Sequence, residues 1–198
     1  MPINPPEGMI TGRKLLLRPE VLGTFLASLL LFAIMTPSTV AARQPVSESD
    51  IQAVFLYNFA TFIRWPTTAF HDTTGDFCFC TLGEDDVTSV LPSVIRGESV
   101  SGRRLVHRPL GRDDSWRECH IVYLASQFSP GSREQEKTHQ ADPILTVSAL
   151  PGFAGRGGHI ELGLKNSRVH PIINDSSIRR SGLSVSSQLY RLATVLQS

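Results

Sequence analysis

Three cysteines, Cys78, Cys80 and Cys119, are the side chains whose type and spacing best suit chemistry in this chain. Cys78 and Cys80 lie two apart in the run Asp76-Phe77-Cys78-Phe79-Cys80-Thr81-Leu82, which reads as a strand, so both side chains share one face. A strand is a poor setting for bonding such a pair to each other. One of them is therefore expected to reach Cys119, at the head of the apolar run Cys119-His120-Ile121-Val122-Tyr123-Leu124. A bridge from Cys80 would close a loop of about 40 residues, worth roughly 4 kcal/mol in the chain-entropy model. One thiol is left over, either beside a purely structural staple or as a redox-sensing group.

Other constellations are weak. The six histidines, His71, His107, His120, His139, His159 and His170, show no i, i+3 or i, i+4 pairing that would set two metal ligands on one helix face. No G-x-S-x-G elbow, H-E-x-x-H pair or P-loop is present. Gly155-Arg156-Gly157-Gly158 has the composition of a phosphate cradle, but it precedes a strand and so lacks the N–H donors of a helix start. The acidic trio Glu84-Asp85-Asp86 reads as the start of a helix, where negative charge meets the positive end of the dipole, rather than as a metal site. A non-enzymatic protein with no metal and no cofactor is the expectation. The formal net charge is +1 and no basic stripe exists, so nucleic acid is not an implied partner. The basic clusters Arg103 to Arg108 and Arg179-Arg180 read as a solvated edge or a helix start.

The elements that must position these residues follow from the hydrophobic pattern. Val21 to Met35 is an apolar run preceded by Arg13, Lys14 and Arg18 and followed by Ser38-Thr39-Val40-Ala41-Ala42, the order of a signal peptide. Residues 1–42, starting at Met1 or Met9, are expected to be removed, the alternative being an uncleaved membrane anchor. The mature domain, 43–198, is then expected to work outside the cytoplasm, where a cysteine pair usually closes. It is long enough for one domain with one core.

Ser47 is placed to cap a helix from Glu48, with Ile51, Val54, Phe55, Phe59, Phe62 and Ile63 as its apolar stripe and Trp65-Pro66 as its end. Strands are expected at Asp76 to Leu82, Arg103 to Arg108, Cys119 to Leu124 and Ile144 to Ser148. A helix carrying Val87, Val90, Leu91 and Ile95 falls between the first two, and a short surface helix between Ser129 and Gln140. His159 to Leu164 and Arg168 to Asn174 read as a β-hairpin, and Leu183, Val185, Leu189, Leu192, Ala193 and Leu196 as the face of one or two closing helical segments that start near Ile178, with a break at Gly182. The pattern predicts an α/β fold: a single three-layer domain, its sheet mainly parallel with flanking helices, ending in a β-hairpin plus helix. The inner face of the first helix is expected to be core up to the Trp65-Pro66 corner; Phe62 or Trp65 left at the surface would instead form an apolar patch suited to homodimer formation or partner docking. Arg179, Arg180 and Arg191 border the last apolar stripe and form a second candidate contact region.

An ordered set of these segments resembles the YfiR-like periplasmic proteins. It comprises Ala53-Val54-Phe55-Leu56-Tyr57-Asn58-Phe59-Ala60 with Phe62-Ile63-Arg64-Trp65-Pro66, then Cys80-Thr81-Leu82-Gly83, Cys119 to Leu124 and Ile144 to Ser148. Gly157-Gly158-His159-Ile160, Ile173-Asn174 and Ser181 to Leu189 continue it through Leu192-Ala193. The resemblance implies a periplasmic repressor that engages the periplasmic region of an inner-membrane diguanylate cyclase. Release, by an outer-membrane lipoprotein or by redox stress, would raise cyclic di-GMP and promote biofilm. It also implies the Cys80–Cys119 pairing. The chain departs from the family pattern in lacking a second cysteine pair and in carrying Cys78 as an extra thiol. A small-ligand sensor, with its cleft at the carboxyl ends of the strands, is the alternative reading.

Overall fold

The computed structural model describes residues 46–70, 75–126, 139 and 141–197. The leader, His71 and the surface helix expected between Ser129 and Gln140 lie outside them. Helix α1 (Glu48–Phe62) starts at Ser47, whose hydroxyl accepts from Asp50 N at 3.1 Å while Asp50 Oδ2 accepts from Ser47 N at 2.9 Å. This reciprocal capping box satisfies two orphan donors of the first turn. The helix ends three residues before the expected Trp65-Pro66 stop. Ile63–Arg64 already forms a short strand, β1, paired antiparallel with β9 (Ser184–Val185).

The remaining strands are β2 (Phe77–Leu82), β3 (Ser99–Val100), β4 (Arg103–Leu110), β5 (Ile121–Leu124), β6 (Leu145–Ser148), β7 (Ile160–Lys165), β8 (Arg168–Asn174) and β10 (Thr194–Leu196). They form one sheet in the order β10-β8-β7-β6-β5-β2-β4-β3. Strands β4, β2, β5, β6 and β7 run parallel, and the β7–β8 hairpin and β3–β4 pair are antiparallel. Helix α2 (Asp86–Ile95) connects β2 to β4, and α3 (Asp175–Arg180) and α4 (Ser187–Leu192) follow the hairpin. The fold is α/β, its sheet mixed but mostly parallel, with a C-terminal hairpin and helix.

Parallel strands covered on both faces are largely apolar, and β2, β5 and β6 are buried at every residue, their polar members Thr81, Thr146 and Ser148 included. Two cores result, one on each face. Phe59, Phe77, Phe79, Leu91, Tyr123 and Ile178 belong to the larger, and Cys80, Trp116, Val122 and Phe153 to the smaller. A Cβ on Gly158 would fall 2.2 Å from the Phe153 ring, so only glycine lets the turn into β7 close over the smaller core.

Several expectations shift. The face of α1 turned inward is Gln52, Ala53, Leu56, Phe59 and Ala60, whereas Ile51 and Val54 are 38% and 45% exposed. Strand β4 runs on to Leu110; the two-residue β3 pairs only with Arg103 and Arg104, and the rest of β4 forms the edge of the sheet. The helix expected near Ile178 begins at Asp175, because Asn174 Oδ1 accepts from Ser177 N at 3.0 Å and acts as the cap. The closing stretch is less helical than expected: Val185 lies in β9 and Leu196 in β10, where pairing with β1 and β8 draws the chain into strands on either side of α4.

Candidate functional site

Strand β2 sends Cys78 and Cys80 to the smaller core, where Cys80 is bonded to Cys119 across a Cα–Cα distance of 5.8 Å. Cys119 does not belong to a strand. It ends a turn in which its N–H donates to Trp116 O at 2.8 Å, just before β5. The turn is fastened to β2 a second time: His120 N donates to Cys78 O at 2.9 Å, and Cys78 N donates to His120 Nδ1 at 3.0 Å. The His120 ring stacks on Phe70 and Phe77 at 4.8 and 4.6 Å. These contacts align β5 with β2 before the ladder begins.

Cys78 keeps its thiol, only 8% exposed, with its Sγ 3.7 Å from Cys80 Sγ. Burial pushes this thiol up; Arg108 opposes the shift, and Glu118 and Asp76 add to it. The thiol borders a cavity of about 470 Å³ lined also by Phe70, Arg103, His107, Arg117 and His120. Arg103 lies 4.0 Å over the Phe70 ring and donates to Gly75 O at 2.7 Å, which closes one wall. Arg104 pairs with Asp76 at 2.8 Å and Arg108 with Glu118 at the rim. The basic run Arg103 to Arg108 thus borders a cavity as well as solvent. Burial also lowers the pKa of His107, whose Nε2 is 3.0 Å from Thr81 Oγ1.

This cavity lies toward the amino ends of β2 and β5, opposite the crevice expected for a ligand sensor. At the carboxyl ends, where the chain order reverses between β2 and β5, the Asp85 carboxylate accepts from Thr88 N at 3.0 Å, Tyr123 OH at 2.9 Å and Ser126 N at 3.0 Å. Burial, with Asp85 beside it, pushes the Tyr123 hydroxyl far up, so it stays a donor. Asp85 is therefore a structural cap for α2 tied to β5. Among the described residues no group of three or more His, Cys, Asp or Glu is placed to hold a metal ion.

The two candidate contact regions meet. Pairing of β1 with β9 sets Ile63 opposite Val185 and Arg64 opposite Ser184, and Ser186 N donates to Phe62 O at 2.8 Å. Phe62 and Trp65 are half-buried, and Trp65 packs edge-on against Phe77 at 5.0 Å. Trp65→Ala is expected to destabilise by about 2 kcal/mol, less than full burial would give. Unchanged melting together with altered self-association would instead make the corner an interface. Arg179 is committed to Asp175, its Nε donating to Oδ2 at 2.7 Å, and Arg180 donates to Ser177 Oγ at 2.8 Å. Of the three arginines only Arg191 has no such side-chain contact among the described residues, and it is exposed. The residues missed at this surface are Ile51 and Val54 on the outer face of α1, a helix with no charged residue from Ile51 to Ile63.

The chain matches the protein-family model described as YfiR/HmsC-like over residues 49–194, from the first turn of α1 to the start of β10. No curated protein matches it.

Proposed function

Because the chain belongs to the YfiR/HmsC-like family, we propose that it is a periplasmic regulator that holds a membrane-bound diguanylate cyclase inactive by occupying the cyclase's periplasmic region. The family match carries this reading, and three observations support it. The outer face of α1 leaves Ile51 and Val54 in solvent beside half-buried Phe55, an apolar surface suited to docking. The corner at Phe62 and Trp65, half-buried beside the β1–β9 pair, offers a second apolar surface. The Cys80–Cys119 bridge suits an oxidising compartment and gives redox conditions a place to act. Homodimer formation and capture by an outer-membrane lipoprotein belong to the same proposal.

Deleting the gene is expected to raise cyclic di-GMP and surface attachment, and periplasmic re-expression to lower both. Val54→Asp and Arg191→Glu alter exposed side chains and should fold normally while losing repression. Charge reversal at Arg179 is less informative, since it sets a carboxylate against Asp175. If deletion leaves cyclic di-GMP unchanged under reducing and oxidising conditions alike, the repressor reading fails. The cavity beside Cys78, within the size range of small-molecule sites, would then favour a ligand sensor.

A further inference from the structure

We propose that Cys78, Cys80 and Cys119 form a three-sulfur exchange relay, in which Cys78 displaces Cys119 from Cys80 and turns a buried bridge into a presented thiol. The Cys78 and Cys80 sulfurs stand 3.7 Å apart, in contact, so the nearest electrophile to the thiol is a disulfide sulfur of its own chain. Successive same-face residues of a strand are about 6.6 Å apart at Cα, inside the range disulfides span. The parallel Cβ vectors of an extended strand keep the two Cβ atoms farther apart than a bridge allows, so the Cys78–Cys80 product forms only when β2 buckles locally at Phe79.

The step balances without an external oxidant. The Cys78 thiolate attacks Cys80 Sγ, the Cys78–Cys80 bond forms as Cys80–Cys119 breaks, and Cys119 Sγ leaves as a thiolate that takes up the proton Cys78 gave. One disulfide and one thiol remain on each side of the equation. Burial keeps Cys78 protonated at rest, so the relay runs slowly until the site loosens.

The surroundings give the exchange a direction in space. Cys80 is fully buried, whereas Cys78 borders the cavity described above and Cys119 borders a second one of about 370 Å³, lined also by Thr68, Arg117, His139 and Asp142. Cys78 and Cys80 are held on a strand flanked by β4 and β5, while Cys119 sits on a turn and can recoil. Thiol character therefore passes from one cavity to the other through Cys80. Arg117 borders both cavities and would favour a thiolate on either side. This chemistry belongs to the chain's own sulfurs and holds whether or not the protein docks on a cyclase.

The test uses the mature protein purified without reductant, incubated in urea below its unfolding midpoint so that the site loosens, quenched in acid, alkylated after denaturation and mapped by mass. At time zero the label should fall on Cys78. With incubation a fraction of it should appear on Cys119, in molecules with Cys78 and Cys80 bonded to each other. A label that stays on Cys78 throughout, or that moves to Cys80, overturns the relay. In a second arm, Cys119→Ser is exposed to oxidised glutathione. Closure of Cys78 to Cys80, with loss of both titratable thiols, is expected; two persistent thiols or mixed disulfides on either residue overturn it.

Discussion

Cys119→Ser protein is expected to unfold with about 4 kcal/mol less free energy than the oxidised wild type, because the bridge closes a separation of 39 residues in the unfolded chain. That is a large share of the 5 to 15 kcal/mol typical of a domain. Reduced wild type should fall to the same level in urea titration. A Cys78–Cys80 bond formed in the variant should restore little, since so short a loop scarcely restrains the unfolded ensemble. Cys78→Ser should leave the melting near wild type, for it keeps the long loop closed. If Cys119→Ser and wild type melt together under oxidising conditions, the staple contributes nothing, and β2 and β5 are held by their ladder alone.

The second large effect is acid sensitivity centred on His159. This ring is buried between β6 and β8, its Nδ1 accepting from Thr146 N at 3.0 Å and its backbone N donating to Thr146 Oγ1 at 3.2 Å. Burial brings its pKa down to about 4, against a hydrogen bond with the Ser177 backbone, and the positive charge of Arg180 deepens the shift. The folded-state value lies below the ordinary value near 6.5, so the unfolded chain takes up the proton first. Stability from the neutral ring is therefore complete above about pH 6.5 and is lost as pH falls toward 4, on the order of 3 kcal/mol in all. His107, also lowered by burial, acts in the same direction. Urea midpoints between pH 7 and pH 4 should fall steeply for wild type and less steeply for His159→Asn, which cannot titrate. Equal slopes would remove His159 from the account.

Local rules were enough wherever a residue acts through its near neighbours. Ser47 opens α1 because its hydroxyl needs only the amide of Asp50 three residues on, and the apolar runs of β2, β5 and β6 specify parallel strands covered on both faces. The hairpin at β7 and β8 follows from the same short-range pattern. The presence of three thiols, and that one must be left over, is likewise a property of the sequence.

Tertiary structure decided what depends on direction and company. Because α1 is apolar nearly all round, its periodicity cannot select an inward face; packing on α2 and the sheet selects Ala53, Leu56 and Phe59 and leaves Ile51 and Val54 outside. Arg179 looks like a free surface cation in sequence, yet helical spacing brings Asp175 within reach four residues back. Cys78 and Cys80 share one face of β2 and look alike in sequence. Only the turn between Trp116 and β5, which carries Cys119 to Cys80, determines which one is bonded and which remains a thiol. That choice rests on contacts about 40 residues apart along the chain, which no local preference encodes.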